Sequence, residues 1–122
     1  MKLKKVKIIV QPVESVKTEW ARAFKGKSHS VQLKGTIVFT SLSAIAKALS
    51  PVRLELLGVI LKQKPNSIYA LAKLVGRDFK NVYSDTKIFE EIGLVDLKHS
   101  ESRRDSIRPV AKYSGFELDL AA

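Results

Sequence analysis

The 122 residues contain no cysteine. That removes disulfides, thiolate metal sites and a cysteine nucleophile, and it fits a reducing cytoplasm. Aromatic residues make up 7% of the chain, which leaves Tyr83 and Tyr113 as the obvious side chains for stacking on bases. No apolar run approaches the ~20 residues of a membrane span. The opening MKLKKVKIIVQPVES is basic and then briefly apolar, but it alternates like a strand and meets Pro12, so it does not read as a signal peptide. His29 and His99 stand alone, without ligand-spaced partners, and no zinc site is expected. Gly35, Gly58, Gly76 and Gly93 form no phosphate loop, and Ser41, Ser43 and Ser50 read as turn and cap residues. No cofactor and no enzymatic activity are expected.

Acidic residues are also scarce, 12 against 22 Lys and Arg, for a net charge of +10. Such a balance implies a polyanionic or acidic partner. The excess is uneven. Residues 1–50 carry 10 basic and 2 acidic residues (+8), and residues 51–122 carry 12 and 10 (+2).

Hydrophobic spacing organises the chain. Residues 3–10 place Val6, Ile8 and Val10 opposite Lys5 and Lys7, a strand pattern. Val13, Val16, Trp20, Ala23 and Phe24 predict a short amphipathic helix ending at Gly26. The polar stretch from Gly26 to Gly35 reads as a linker. TIVFT, residues 36–40, is a short β-rich run. Ser41 then caps a brief helix with Leu42, Ile45 and Leu49 on one face. Ser50-Pro51 is a strong helix start, and the helix to about Gln63 is expected to turn Leu54, Leu57 and Leu61 inward, with Leu56 and Ile60 flanking. Ser67 caps a helix over 68–75 with Ile68, Leu71 and Ala72 inward. After Gly76-Arg77, Asp78 caps a helix over 79–92 that Gly93 ends. Residues 94–97 and 107–111 predict a β-hairpin with a charged tip, and Phe116, Leu118 and Leu120 a last short strand or packed extension.

Rotating residues 79–92 by about 100° each gathers Val82, Thr86 and Phe89 on one face. Lys80, Ser84, Lys87 and Glu91 lie opposite, with Asn81 and Tyr83 at the shoulders. A helix, a short helix, a tight turn, a helix and a hairpin follow in the order of a winged helix-turn-helix. In such a unit the first turns of the last helix reach base edges, where Lys bonds guanine and Asn bonds adenine bidentately. A basic hairpin tip reaches phosphates. The expected DNA-binding residues are Arg77, Lys80, Asn81, Tyr83, Ser84 and Lys87, with Lys98, Arg103, Arg104 and Arg108 in the hairpin. Asp85, at the edge of the packed face, is expected to pair with Arg77 or Arg53.

The residues that sharpen this are LSPVRLELL (49–57), SIYALAKLVGRDFKNV (67–82) and FEEIGLV (89–95). They resemble a family of short transcriptional regulators with a MarR-like winged helix. TIVFTSLSAIAKAL and GFELDL resemble the family's preceding and terminal segments. Tyr83 and Ser84 stand where that family often has a basic pair. The resemblance implies a DNA-binding, antitoxin-like repressor, since many members look like the antitoxin half of a toxin–antitoxin gene pair.

The expected fold is therefore α+β and mainly helical. Residues 36–122 form a winged helix-turn-helix, preceded over 1–35 by a basic strand–helix arm and linker for dimerisation or partner binding. The expected function is an autoregulating, antitoxin-like repressor that binds double-stranded DNA as a homodimer. Two alternatives are a protein-interaction module that neutralises a toxin and a general nucleic-acid binder. In the arm, Lys2, Lys4, Lys5 and Lys7, with the linker lysines Lys25, Lys27 and Lys34, either lie along DNA or meet an acidic protein, the strand offering an edge for β-augmentation.

Overall fold

The computed structural model describes residues 3–11, 30–33, 35–99 and 106–119. They form an α+β chain with four helices and six strands among the described residues. The chain divides into two compact units, Met1–Leu49 with Tyr113–Ala122, and Ser50–Lys112. No helix among the described residues is long and apolar enough to cross a membrane.

The first unit is built on β1 (Lys5–Val10), β2 (Ser30–Leu33), β3 (Thr36–Phe39) and β6 (Gly115–Asp119), in the order β2-β3-β1-β6. β1 runs parallel to both β3 and β6, and β2 is antiparallel to β3. Ile8 and Ile9 are consecutive, so they point to opposite faces, and both are buried. Ile37, Val38 and Phe39 repeat the pattern next door. Burial on both faces is the usual condition of parallel pairing. Lys5 and Lys7 remain exposed, and Lys7 reaches Asp119 on β6 at 3.8 Å across a solvated pair of little energetic weight.

Three sequence expectations change in this unit. Residues 30–33 are a strand rather than linker, because SVQL pairs antiparallel with TIVF, Leu33 opposite Thr36, and Gly35 at φ 70° leads into β3. β1 offers no free edge for augmentation, since β3 and β6 occupy both sides. The boundary expected at residue 35 falls instead after Leu49, because β3 and β6 hydrogen-bond to β1. α1 (Leu42–Ala48) is capped by Ser41, whose hydroxyl accepts from the Ala44 N–H at 3.0 Å. It buries none of its residues, and Leu42 is 56% exposed. The helix expected over 13–25, with Trp20 and Phe24, lies outside the described residues.

The second unit contains α2 (Pro51–Gln63), α3 (Ile68–Val75), α4 (Phe79–Ile92), β4 (Val95–His99) and β5 (Ile107–Ala111). The four N-terminal amides of a helix have no partner within it, and a capping side chain answers one of them in each helix here. Ser50, Ser67 and Asp78 each accept from the N–H three residues on, at 3.3, 3.0 and 3.3 Å. Gly76 (φ 65°) and Gly93 (φ 100°) end α3 and α4 in the left-handed conformation glycine adopts freely.

The inward face of α2 differs from expectation. Leu56 and Ile60 are the buried residues, and Leu54 is 41% exposed. The helix is apolar nearly all round, with Val52, Leu54, Leu56, Leu57, Val59, Ile60 and Leu61, so spacing alone does not set its phase. In mid-helix, Gly58 costs about 1 kcal/mol relative to alanine, and a Cβ there would meet nothing within 4 Å. The β4–β5 hairpin is antiparallel, and β4 begins at Val95 and runs to His99 rather than over 94–97.

Candidate functional site

α4 separates its two faces cleanly. Val82, Thr86, Phe89 and Ile92 are buried, as the rotation predicts. Thr86 satisfies its hydroxyl by donating to the Tyr83 carbonyl at 2.7 Å. Lys80, Asn81, Ser84, Lys87 and Glu91 are exposed. Only three residues, Gly76, Arg77 and Asp78, separate α3 from α4. The Arg77 N–H donates to the Ala72 carbonyl at 3.1 Å, which folds the turn tightly under the end of α3.

An ion-pair cluster holds that turn. Asp85, 8% exposed, accepts from Arg53 Nε at 3.0 Å and from Arg77 Nη2 at 2.8 Å. One carboxylate on α4 thus ties down α2 and the α3–α4 turn. The expected pairing is with Arg53 or Arg77, and both engage. Arg77 is consequently a positioning residue here, with Nη1 buried and unpartnered.

The charges of α4 oppose its dipole. The positive end of a helix is its N-terminus, where carboxylates are favoured and cations disfavoured. Here Lys80 lies in the first turn, and Glu90 and Glu91 lie near the C-terminus. Lys87 is paired with Glu90 at 2.9 Å, and the Glu90 carboxylate raises the lysine pKa by hydrogen bonding and by its charge. Lys80 and Asn81 are exposed at the N-terminal end beside the Asp78 cap, whose carboxylate offsets part of that end's positive potential.

Next to it lies a feature that spacing did not reveal. Tyr69 of α3 stacks on Phe79 with ring centroids 4.2 Å apart and planes at 20°. Phe79 in turn stacks on Tyr83 at 6.0 Å and 3°. Tyr69 is 60% exposed. Phe79 and Tyr83 are one helical turn apart, a signal visible in sequence. Tyr69 joins them only through the turn, which no local pattern encodes. Tyr113, the other expected stacking residue, belongs to the first unit.

In the hairpin, Lys98 and Arg108 are directly opposite on β4 and β5. Like charges so placed repel. With Asn66, His99 and Ser106 they line a hollow of about 380 Å³. These are donors in a basic setting, suited to a phosphate-like anion. Arg103 and Arg104 lie outside the described residues. Among the described residues no three His, Cys, Asp or Glu side chains gather into a metal-binding group.

No curated protein matches the chain. A family model, HVO_A0114, matches residues 48–118. The match starts just before the Ser50-Pro51 helix start and takes in the whole capped α2–α3–α4 and hairpin unit. It covers more than half of the sequence, and the chain belongs to the HVO_A0114 family.

Proposed function

We propose that the protein is a sequence-specific DNA-binding transcriptional regulator, and that its second unit works as a winged helix-turn-helix. α4 enters the major groove by its N-terminal end, where Lys80 and Asn81 read base edges and Ser84 and Tyr83 flank them. The hairpin is the wing, and Lys98, Arg108, Arg103 and Arg104 bind phosphates. The observation that carries this is the placement of Lys80 and Asn81. They are exposed at the positive end of a helix whose opposite face and whose leading turn are both fixed. The MarR-like resemblance of residues 49–95 supports a homodimeric, autoregulating repressor of the antitoxin type, reading an inverted repeat with half-sites about 34 Å apart or a multiple.

The test is fluorescence anisotropy at ~150 mM salt, near physiological ionic strength. The duplex upstream of the protein's own gene is compared with a scrambled duplex. A preference of about 4 kcal/mol or more is expected for a specific site. Equal binding to both would remove the sequence-specific reading and leave general nucleic-acid binding.

The wing carries a separate expectation. Lys98→Ala with Arg108→Ala weakens all duplexes alike and reduces the slope of log K against log salt by roughly 2, about one unit for each phosphate no longer neutralised. A weakening confined to one sequence would make the hairpin a base reader instead.

A further inference from the structure

The outward face of α2 has no assigned role. Leu54, Glu55, Gly58, Val59, Lys62 and Gln63 line a shallow groove along it. Two apolar side chains on this side are well exposed, Val52 at 52% and Leu54 at 41%. Gly58 lies at the middle of the groove. Glycine is the least favourable residue for a helix interior after proline, and it permits another backbone to come close. Among the described residues nothing explains it, since a Cβ at position 58 would meet none of their atoms within 4 Å.

The charges supply the occupant. Glu55 and Lys62 are seven residues apart, about 10 Å along the axis, and Gly58 and Val59 lie midway between them. Place a second α2 antiparallel to the first, with a two-fold axis between positions 58 and 59. Glu55 then meets the partner's Lys62, Lys62 meets the partner's Glu55, and Gly58 faces the partner's Val59. The surface is complementary to itself, as a two-fold interface requires. Antiparallel helices also oppose their dipoles favourably. A parallel or shifted pairing forfeits both ion pairs.

We infer that the exposed face of α2 is a homodimer surface, in which two copies of the chain cross antiparallel at Gly58 and exchange Glu55–Lys62 pairs. The inference deepens the homodimer proposed above by naming its surface, and it is tested without DNA, so either idea can fail alone. One helix pair is a small interface, and the dissociation constant is expected in the micromolar range.

Sedimentation equilibrium of the full chain from ~1 to ~300 µM brackets that range. The wild type should pass from monomer to dimer. Glu55→Lys and Lys62→Glu should each raise the dissociation constant at least about tenfold, and the double exchange should restore it, because the swap re-forms both pairs. Gly58→Gln should keep the circular dichroism spectrum of the wild type and hold or raise its melting temperature, while raising the constant by ~10-fold or more. A wild type that stays monomeric throughout overturns the proposal. So does a dimer indifferent to all three single changes, or a double exchange that stays as weak as its parents.

Discussion

Asp85→Ala is expected to lower the stability of the second unit by about 3 kcal/mol, the lower end for breaking a buried ion pair. The carboxylate is nearly buried, and its removal takes away the acceptor that the Arg53 and Arg77 guanidinium groups share. Their side chains keep 24% and 30% of their exposure, so water relieves part of the cost, which is why the lower end applies. For a unit of this size the melting temperature should fall by roughly 12–24 °C. The exposed Lys87–Glu90 pair is the control: Glu90→Ala should leave melting unchanged within error, because solvated pairs contribute little. Thermal melts followed by circular dichroism measure both. Equal melting of Asp85→Ala and wild type would show that the cluster does not hold the turn. The same reasoning assigns any binding defect of Arg77→Ala to a displaced turn rather than to a missing phosphate ligand.

Lys80→Ala together with Asn81→Ala should do the opposite: leave the fold intact and erode sequence discrimination. Each good base contact is worth about 1–3 kcal/mol, or roughly 5- to 150-fold in relative affinity. Both side chains are exposed, alanine favours helix, and a cation beside the positive end of α4 is removed. Melting temperature should therefore hold or rise while the ratio of specific to scrambled duplex falls. Competition anisotropy gives that ratio. Full specificity in the double variant would sink the assignment of α4 as the reading helix.

Legibility in the sequence followed the range of the interaction. Caps and stops depend on three or four neighbouring residues, so Ser50-Pro51, Ser67, Asp78, Gly76 and Gly93 marked the helices well. The phase of α4 was clear because polar residues interrupt its apolar face. In α2 they do not, and Leu56 and Ile60 were misplaced to the flank. β2 was hidden in a lysine- and serine-rich stretch, although Val31 and Leu33 alternate just before a glycine turn and a β-rich run. The parallel partners of β1 lie far away in sequence, and no local signal chooses them. The exposure of Lys80 and Asn81 and the Asp85 pairing were readable from helical geometry. Tyr69 and the Asn66 edge of the hairpin hollow were not, because they arrive from another helix or its preceding loop.

The strand order of the first unit has a temporal consequence. Among the described strands β1 comes first in the chain, yet one of its two neighbours, β6, comes last. The Ser50–Lys112 unit is contiguous and can fold as it leaves the ribosome. The sheet around β1 cannot close until residues 115–119 have been synthesised, and its pairings span most of the chain. During synthesis, one long side of a strand rich in isoleucine and valine therefore waits unpaired. Lys4, Lys5 and Lys7, alternating with or flanking that strand, are well placed to keep nascent chains apart until the final strand arrives.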